Sequence, residues 1–284
     1  MTSTVDLGGG VRVETYACSA EGIFVNAFLL ETSAGVVAVD ATLTVGTSRG
    51  LRARVEAMGV PLLGVVVTHP HPDHVAGLAE LVTSDDTPIF ATAAVADLMR
   101  RLEAPKREQW GPVYGAEWVP RWRHPNRIVA GGERVRLGGL ELRVHDLGRG
   151  GDSDANSIWT LESPARAAFL GDLVFDGVHA YLADGGVLAW LANLERAADL
   201  CRDLPRVFPG HGRAGAPAAL LGAQRDYLLA YVAAVKDLAA GRAALGDAEK
   251  AELTRRMIAR RPGAGLEPLI AMSADAVAAE LHGR

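Results

Sequence analysis

Four side chains able to ligate metal fall within six positions of the run Thr68-His69-Pro70-His71-Pro72-Asp73-His74. Imidazole and carboxylate are the groups that hold divalent transition metals, and clustering them this tightly places them around one point. Before the run lies Leu62 to Val67, a short apolar stretch rich in β-branched residues that follows Gly59 and Pro61. It reads as a buried parallel strand. After the run, Val75, Leu78, Ala79 and Val82 recur at helical spacing. The ligand-type residues therefore sit on a strand-to-helix turn, at the carboxyl end of a strand, where open α/β sheets place their sites. Asp73 can start the helix, so Asp73 and His74 can aim at a different point from His69 and His71. That geometry suits two ions side by side. The alternative is a chance His/Pro-rich loop, or an N-cap aspartate among surface histidines. The clustering and the strand-helix setting argue against it.

His-x-His-x-Asp-His after an apolar strand resembles the metallo-β-lactamase superfamily of hydrolases. Three other segments carry the same resemblance. Gly171-Asp172 after Phe169 and Leu170 looks like the family's Gly-Asp element, and Pro209-Gly210-His211 looks like its last histidine element. Asn26, in the stretch Phe24 to Leu30, resembles its first-strand Val-Asn pattern. Order and spacing fit over about residues 10 to 212. The departure comes at the third histidine. The family's Gly-His-Thr position aligns best with Gly151-Asp152-Ser153, so an aspartate stands where an imidazole is expected. Asp152 can be a carboxylate ligand in its own right. Asp154 or His145 can reach in instead, or the first metal position can be weak or empty. Asp152 can also be a turn residue that satisfies loop amides.

The resemblance implies that His69, His71 and Asp152 hold one ion and that Asp73, His74 and His211 hold the other, with Asp172 bridging. With Asp73, Asp152 and Asp172 ionised, two dications and one bridging hydroxide sum to zero charge. Exchanging His for Asp hardens the site and shifts its preference from zinc, the family's usual metal, toward manganese or ferrous iron. Asp is shorter than His, and Gly148, Gly150 and Gly151 would permit the closer backbone approach it needs. A water between two dications loses its proton near neutral pH. The hydroxide would attack a carbonyl, and Asp73 would orient it and carry a proton to the leaving group. No Gly-x-Ser-x-Gly elbow suggests a serine nucleophile.

Two further segments are candidates for the substrate pocket. The first, Leu173 to Gly186, reads as a long loop in which His179 and Tyr181 can bind substrate or support the ligands. The second, Trp110 to Trp122, carries Trp110, Tyr114, Trp118 and Trp122 in a Gly/Pro-punctuated, irregular stretch. It suggests a lid or wall for an apolar acyl or ring group, with Trp110 and Trp118 as binding residues. The alternatives are ordinary packed loop residues for the first and a satellite hydrophobic cluster under a long loop for the second.

Composition bounds the rest. The chain has 284 residues, 49% of them hydrophobic, ample for a sizeable core. The net charge is −5 and no basic stripe occurs, which argues against nucleic acid as a partner. No stretch approaches a membrane span, and the first residues lack the pattern of a signal peptide. A cytoplasmic protein acting on a small molecule is expected, with a homodimer as one option. The two cysteines, Cys18 and Cys201, form no Cys-x-x-Cys and no disulfide is expected.

Elements then follow. Strands are predicted at residues 11–16, 23–31, 35–40, 62–67 and 88–91, through 127–147, and at 157–162, 167–172 and 206–208. Helices are predicted at 47–58, after the metal run, at 92–102 and at 190–204. From about residue 213 the pattern is helical, over 216–240, 247–260 and 266–281. The organisation expected is a catalytic core over 1–212 and a helical C-terminal extension over 213–284 packed on it, as in the glyoxalase- and lactonase-like branch. The fold class is α/β, the four-layer αββα sandwich that the resemblance implies. The function expected is a dinuclear metal hydrolase opening an ester, lactone or thioester. A mononuclear iron dioxygenase and a catalytically impaired metal-binding protein are the alternatives.

Overall fold

Both faces of the central strands are apolar, so each strand must be covered on two sides. In the computed structural model, which describes residues 2–283, β3 (Asn26–Thr32) sends Ala27 and Leu29 to one side and Phe28 and Leu30 to the other. β4 (Gly35–Val39) does the same with Val36 and Ala38 against Val37 and Val39. These two join β1 (Thr2–Gly8), β2 (Val11–Ala17), β5 (Leu62–Val66), β6 (Ile89–Thr92) and β7 (Arg127–Val129) in a seven-stranded sheet in chain order. Pairing is antiparallel from β1 to β4 and parallel from β4 to β7. The second sheet holds β8 (Arg134–Leu137), β9 (Leu140–Gly148), β10 (Asn156–Ser163), β11 (Ala167–Phe175) and β12 (Val207–His211), in the order β12-β11-β10-β9-β8.

The two sheets face each other across one core. Phe28 of the first sheet meets Phe169 and Phe208 of the second, with ring centroids 5.4 Å apart in both pairs. Behind the first sheet lie α1 (Val45–Ala57), α2 (Pro72–Val75), α3 (Leu78–Leu81) and α4 (Ala93–Tyr114). Behind the second lie α5 (Val187–Cys201), α6 (Pro217–Ala239), α7 (Asp247–Arg260) and α8 (Pro268–His282). The layers are thus helices, sheet, sheet, helices: the αββα sandwich, with a helical C-terminal region. Among the described residues no helix is long and apolar enough to cross a membrane.

Three elements differ from the sequence reading. β1 was not expected, because Thr2 to Gly8 is mostly polar; it is an exposed edge strand held by backbone pairing with β2. The helix after the metal run is broken into α2 and α3 at Gly77. There the chain passes so close to α1 that a Cβ would lie 2.2 Å from Ser48 Oγ. The largest difference is α4, which continues through Pro105 and Pro112 to Tyr114. Proline in a helix interior costs about 3 kcal/mol. Here one apolar stripe, Val95, Met99, Leu102, Trp110 and Tyr114, packs against the sheet side and holds the helix past both prolines.

Candidate metal centre

β5 delivers the metal run to the carboxyl edge of the first sheet, and two neighbours lock its backbone. Thr68 N donates to Asp40 Oδ1 at 2.7 Å. From the second sheet, Ser157 N and Oγ both donate to Thr68 O, at 2.8 and 2.7 Å, and Trp159 Nε1 donates to Val67 O at 2.9 Å. Asp40 follows β4 in the left-handed region, φ 60°, which a short polar side chain tolerates better than most.

The tautomers follow from these bonds. Thr68 Oγ1 donates to Asp40 Oδ2 at 2.6 Å, so its oxygen is left to accept from His69 Nδ1 at 3.0 Å. His74 Nδ1 donates to Asp40 Oδ2 at 2.9 Å. Both rings therefore turn Nε2 inward. On His69, lowered by burial, that nitrogen is unprotonated. Burial opposes charge on His74 as well, but Asp172 and Asp73 raise it well above the usual imidazole range, so a metal there must displace its proton. His69 Nε2, His74 Nε2, Asp152 Oδ1 and Asp172 Oδ1 are buried without a hydrogen-bond partner. Leaving buried polar atoms unpaired costs about 1–3 kcal/mol each, more for charged groups. A cation among them removes that cost, so the residues present fit divalent metal.

The ligand-type atoms form two groups. His69 Nε2 lies 3.6 Å from Asp152 Oδ1, and His71 Nδ1 lies 2.5 Å from Asp152 Oδ2. In the second group, His74 Nε2 is 3.1 Å from Asp172 Oδ1 and 3.5 Å from Asp73 Oδ2. His211 Nε2 is 3.2 Å from Asp172 Oδ2 and 3.4 Å from Asp73 Oδ2. Asp172 also lies 3.9 Å from His69 Nε2, and so stands between the groups. Each group's atoms all fall within 4.8 Å of one another. Asp40 with His69 and His74 meets the same distance test. Its oxygens, however, already accept three hydrogen bonds, which makes it a support for ligands.

Backbone geometry explains the glycines beside these residues. A Cβ on Gly210 would lie 1.9 Å from Asp172 Oδ1, and one on Gly171, at φ 51°, would lie 2.6 Å from Thr68 Oγ1. The Asp152 loop closes in through Gly150 and Gly151, both at positive φ. Asn193 Nδ2 clamps it by donating to the carbonyls of Leu147, Arg149 and Gly150. Asp154 and His145 lie elsewhere: Asp154 is exposed beside Arg149 at 3.1 Å, and His145 Nε2 bonds Thr160 Oγ1 at 2.9 Å. Asn26 Nδ2 donates to Pro209 O and Gly212 O, bracketing His211.

Seven buried titratable groups perturb one another strongly. Burial lowers His71, but Asp152 and Asp184 overcome it and raise the imidazole to about 10. Burial likewise opposes charge on His211, and Asp172 and Asp73 raise it to about 9. Burial pushes Asp152 up to about 7, with Asp172 and Asp73 adding to it and His71 opposing. Burial also favours a neutral Asp73, yet His74 and His211 bring it down to about 2. His69 is lowered by burial and then by His74. So many opposed shifts in one cleft are typical of functional sites.

The centre opens into an apolar cavity of about 240 Å³. Trp110 and Tyr181 line it, as do Tyr114 and Lys106. Trp118 lies instead in the core behind the first sheet, and His179 is buried, its Nδ1 3.1 Å from Tyr227 Oη. Neither reaches the cavity. Trp110 and Tyr114 arrive on α4 rather than on an irregular loop, four residues apart with Lys106 on the same face. The far wall, Leu266, Leu269 and Met272, comes from the start of α8 and the turn before it. Sequence reasoning missed Asp40, Asp184 and Lys106. The spacing of 106, 110 and 114 was the available signal, hidden by Pro105 and Pro112.

Comparison with known families matches residues 20–211 to the metallo-beta-lactamase superfamily. Among solved structures, a metallo-beta-lactamase from Pontibacter korlensis is similar at 21% identity and TM-score 0.62, covering 81% of this chain and 99% of that one. A beta-lactamase domain protein from Burkholderia ambifaria is similar at 20% identity and TM-score 0.67, covering 96% of this chain and 87% of its own. A metallo-beta-lactamase from Hirschia baltica has 18% identity and TM-score 0.59, covering 80% and 97%. At these identities the likeness speaks for the fold. No curated protein sequence matches the chain.

Proposed function

We propose, from the premise that the chain belongs to the metallo-beta-lactamase superfamily, that it is a metal-dependent hydrolase of a small molecule. The bond cleaved is carbonyl-centred: an ester, a lactone or a thioester. One observation carries the reading. Two groups of buried imidazole and carboxylate atoms, several without any partner, lie side by side at the floor of an apolar cavity, with Asp172 of one 3.9 Å from His69 of the other. His69, His71 and Asp152 would hold one divalent ion, and Asp73, His74 and His211 the other, with Asp172 between them. Zinc is the first candidate metal, with manganese and iron behind it because Asp152 hardens the donor set.

Bound there, such ions supply an acidified water and polarise a carbonyl oxygen. The protein's own groups do the rest. Asp73 lines the cavity, orients the attacking water and passes its proton to the leaving group. Asp40, through Thr68 and His74, keeps two imidazoles in the tautomer that offers Nε2. Trp110, Tyr114, Leu269 and Met272 take the apolar part of the substrate and exclude water from the reacting carbon.

The test is metal content of protein purified without chelator, followed by a screen of esters, lactones and thioesters. About two ions per chain and turnover of one class are expected. Asp152→Ala should then leave about one ion and no turnover. Unchanged metal content and rate in that variant would remove Asp152 from the centre. A second reading rests on one observation: His69, His71 and Asp152 form a two-histidine, one-carboxylate set, the donor type of non-haem iron oxygenases. One iron per chain with oxygen consumption, and no hydrolysis, would favour it.

A further inference from the structure

Beyond the seven clustered residues, the loop after β11 brings one more carboxylate to the centre. Asp184 Oδ2 lies 3.2 Å from His71 Nε2, and Asp184 Oδ1 accepts from Tyr181 Oη at 2.9 Å. His71 turns its other nitrogen, Nδ1, toward Asp152. A neutral imidazole carries one N–H, so a hydrogen fixed on Nε2 leaves the Nδ1 lone pair free to bind. Tyr181 lines the cavity and sits edge-on to His71, ring centroids 5.5 Å apart. Lys106 Nζ lies 5.9 Å from the Tyr181 ring centroid.

The loop is held from outside the centre. Leu182 N donates to Ser273 Oγ at 2.9 Å. Val187 N and Leu188 N donate to Glu280 at 2.9 and 3.2 Å. Both acceptors are on α8, so the C-terminal helices fix the position of Asp184.

We propose that Asp184 is a positioning residue for His71, and that its bond to Tyr181 ties the substrate wall to the His71 half of the centre. This rests on reading His69, His71 and Asp152 as a metal position. A carboxylate on the far nitrogen of a ligating histidine orients the ring and raises its basicity, and losing it costs about 10–100-fold in metal affinity. The two halves of the centre are supported unequally. The Asp40–His74 bond is fully buried, whereas the Asp184 side chain is 31% exposed. The His71 half is therefore the one that a change in the substrate wall can reach.

The experiment uses full-length Asp184→Asn and Tyr181→Phe, titrated with zinc against a chromophoric chelator and with cobalt(II) followed by its visible spectrum. For Asp184→Asn the expected result is a loss of about 10–100-fold in affinity at one position, with a changed cobalt band, and no change at the other. Tyr181→Phe, which removes only the second donor to Asp184, should shift the same band with a smaller loss. Wild-type affinities and spectra in Asp184→Asn would overturn the role of Asp184. If Asp184→Asn fails to fold, an unshifted cobalt band in Tyr181→Phe overturns the tie to the substrate wall. A wild-type protein that binds no ion at His71 overturns the reading of the centre itself, which separates the two failures.

Discussion

Asp40 Oδ2 takes hydrogens from both Thr68 Oγ1 and His74 Nδ1, and so fixes two imidazoles at once. Asp40→Ala would leave the buried Thr68 N and His74 Nδ1 unpaired. We expect a fall of about 10–100-fold in metal affinity and a loss of about 1–3 kcal/mol or more in metal-free stability, read by chelator competition and urea unfolding. A second prediction concerns protons. His71 and His211, raised to about 10 and 9, are protonated at neutral pH without metal. Ligation needs them neutral, so binding must release protons, and affinity must rise with pH until those values are passed. Calorimetry in buffers of different ionisation enthalpy would count the protons. No release at pH 7 would mean that these rings are already neutral. At this scale the sequence was most legible where ligand types sit close together, at residues 69 to 74. Asp40 was illegible because its partners, Thr68 and His74, meet it only once β4 and β5 pair. Asp184 was illegible for the same reason: its link to His71 spans 113 positions.

Strands and helices place these residues by close approach, and β11 and β12 show how little room is left. They run parallel, with Gly171 opposite Pro209. A Cβ on Gly210 would enter Asp172 Oδ1. Gly210→Ala should therefore push Asp172 off its position between the two groups. The expected outcome is fewer than two ions per chain with the circular dichroism of the folded protein retained. Gly222 in α6 gives the control, because a Cβ there meets nothing within 4 Å. Gly222→Ala should keep the metal and raise stability by about 0.5–1 kcal/mol, since glycine is a poor helix residue. If Gly210→Ala binds two ions normally, the crowding around Asp172 is relieved by a backbone shift and is not what holds the carboxylate. Element types were readable wherever periodicity was clean, as at Asp247–Arg260, predicted and observed over the same residues. They were not readable where tertiary packing overrides local signals. Two prolines argue that α4 ends early, but the helix continues past both, with Trp110 and Tyr114 packed against the core behind the first sheet.

For the whole molecule, pattern alone gives alternating strands and helices with strands covered on both faces, and the family resemblance supplies the four-layer sandwich. How the last quarter of the chain joins it is not legible there. In sequence the helical region from about residue 213 reads as an extension of a core that ends near His211. In the structure it shares that core. Tyr227, Leu228, Tyr231, Val235, Leu253, Met257, Ile270 and Val277 pack in one cluster with Phe175 of the second sheet and Trp190 and Leu194 of α5. The same helices also supply Leu269 and Met272 to the cavity wall, and Ser273 and Glu280 to the loop bearing Asp184. Fully burying a large apolar side chain contributes about 1.5–3 kcal/mol, so these eight together contribute on the order of 12–24 kcal/mol. That gross gain is of the order of a typical domain's whole net stability, about 5–15 kcal/mol, and losing it also uncovers Phe175, Trp190 and Leu194. A chain cut after residue 212 is therefore expected to keep all seven clustered residues and still lose cooperative unfolding. It should expose apolar surface to a hydrophobic dye and bind metal far more weakly than the intact protein. Urea unfolding, dye fluorescence and metal titration of the two forms decide the matter. A sharp transition and two bound ions in the shortened chain would show that the core over 1–212 stands alone. The C-terminal helices would then serve only the substrate wall and the loop bearing Asp184.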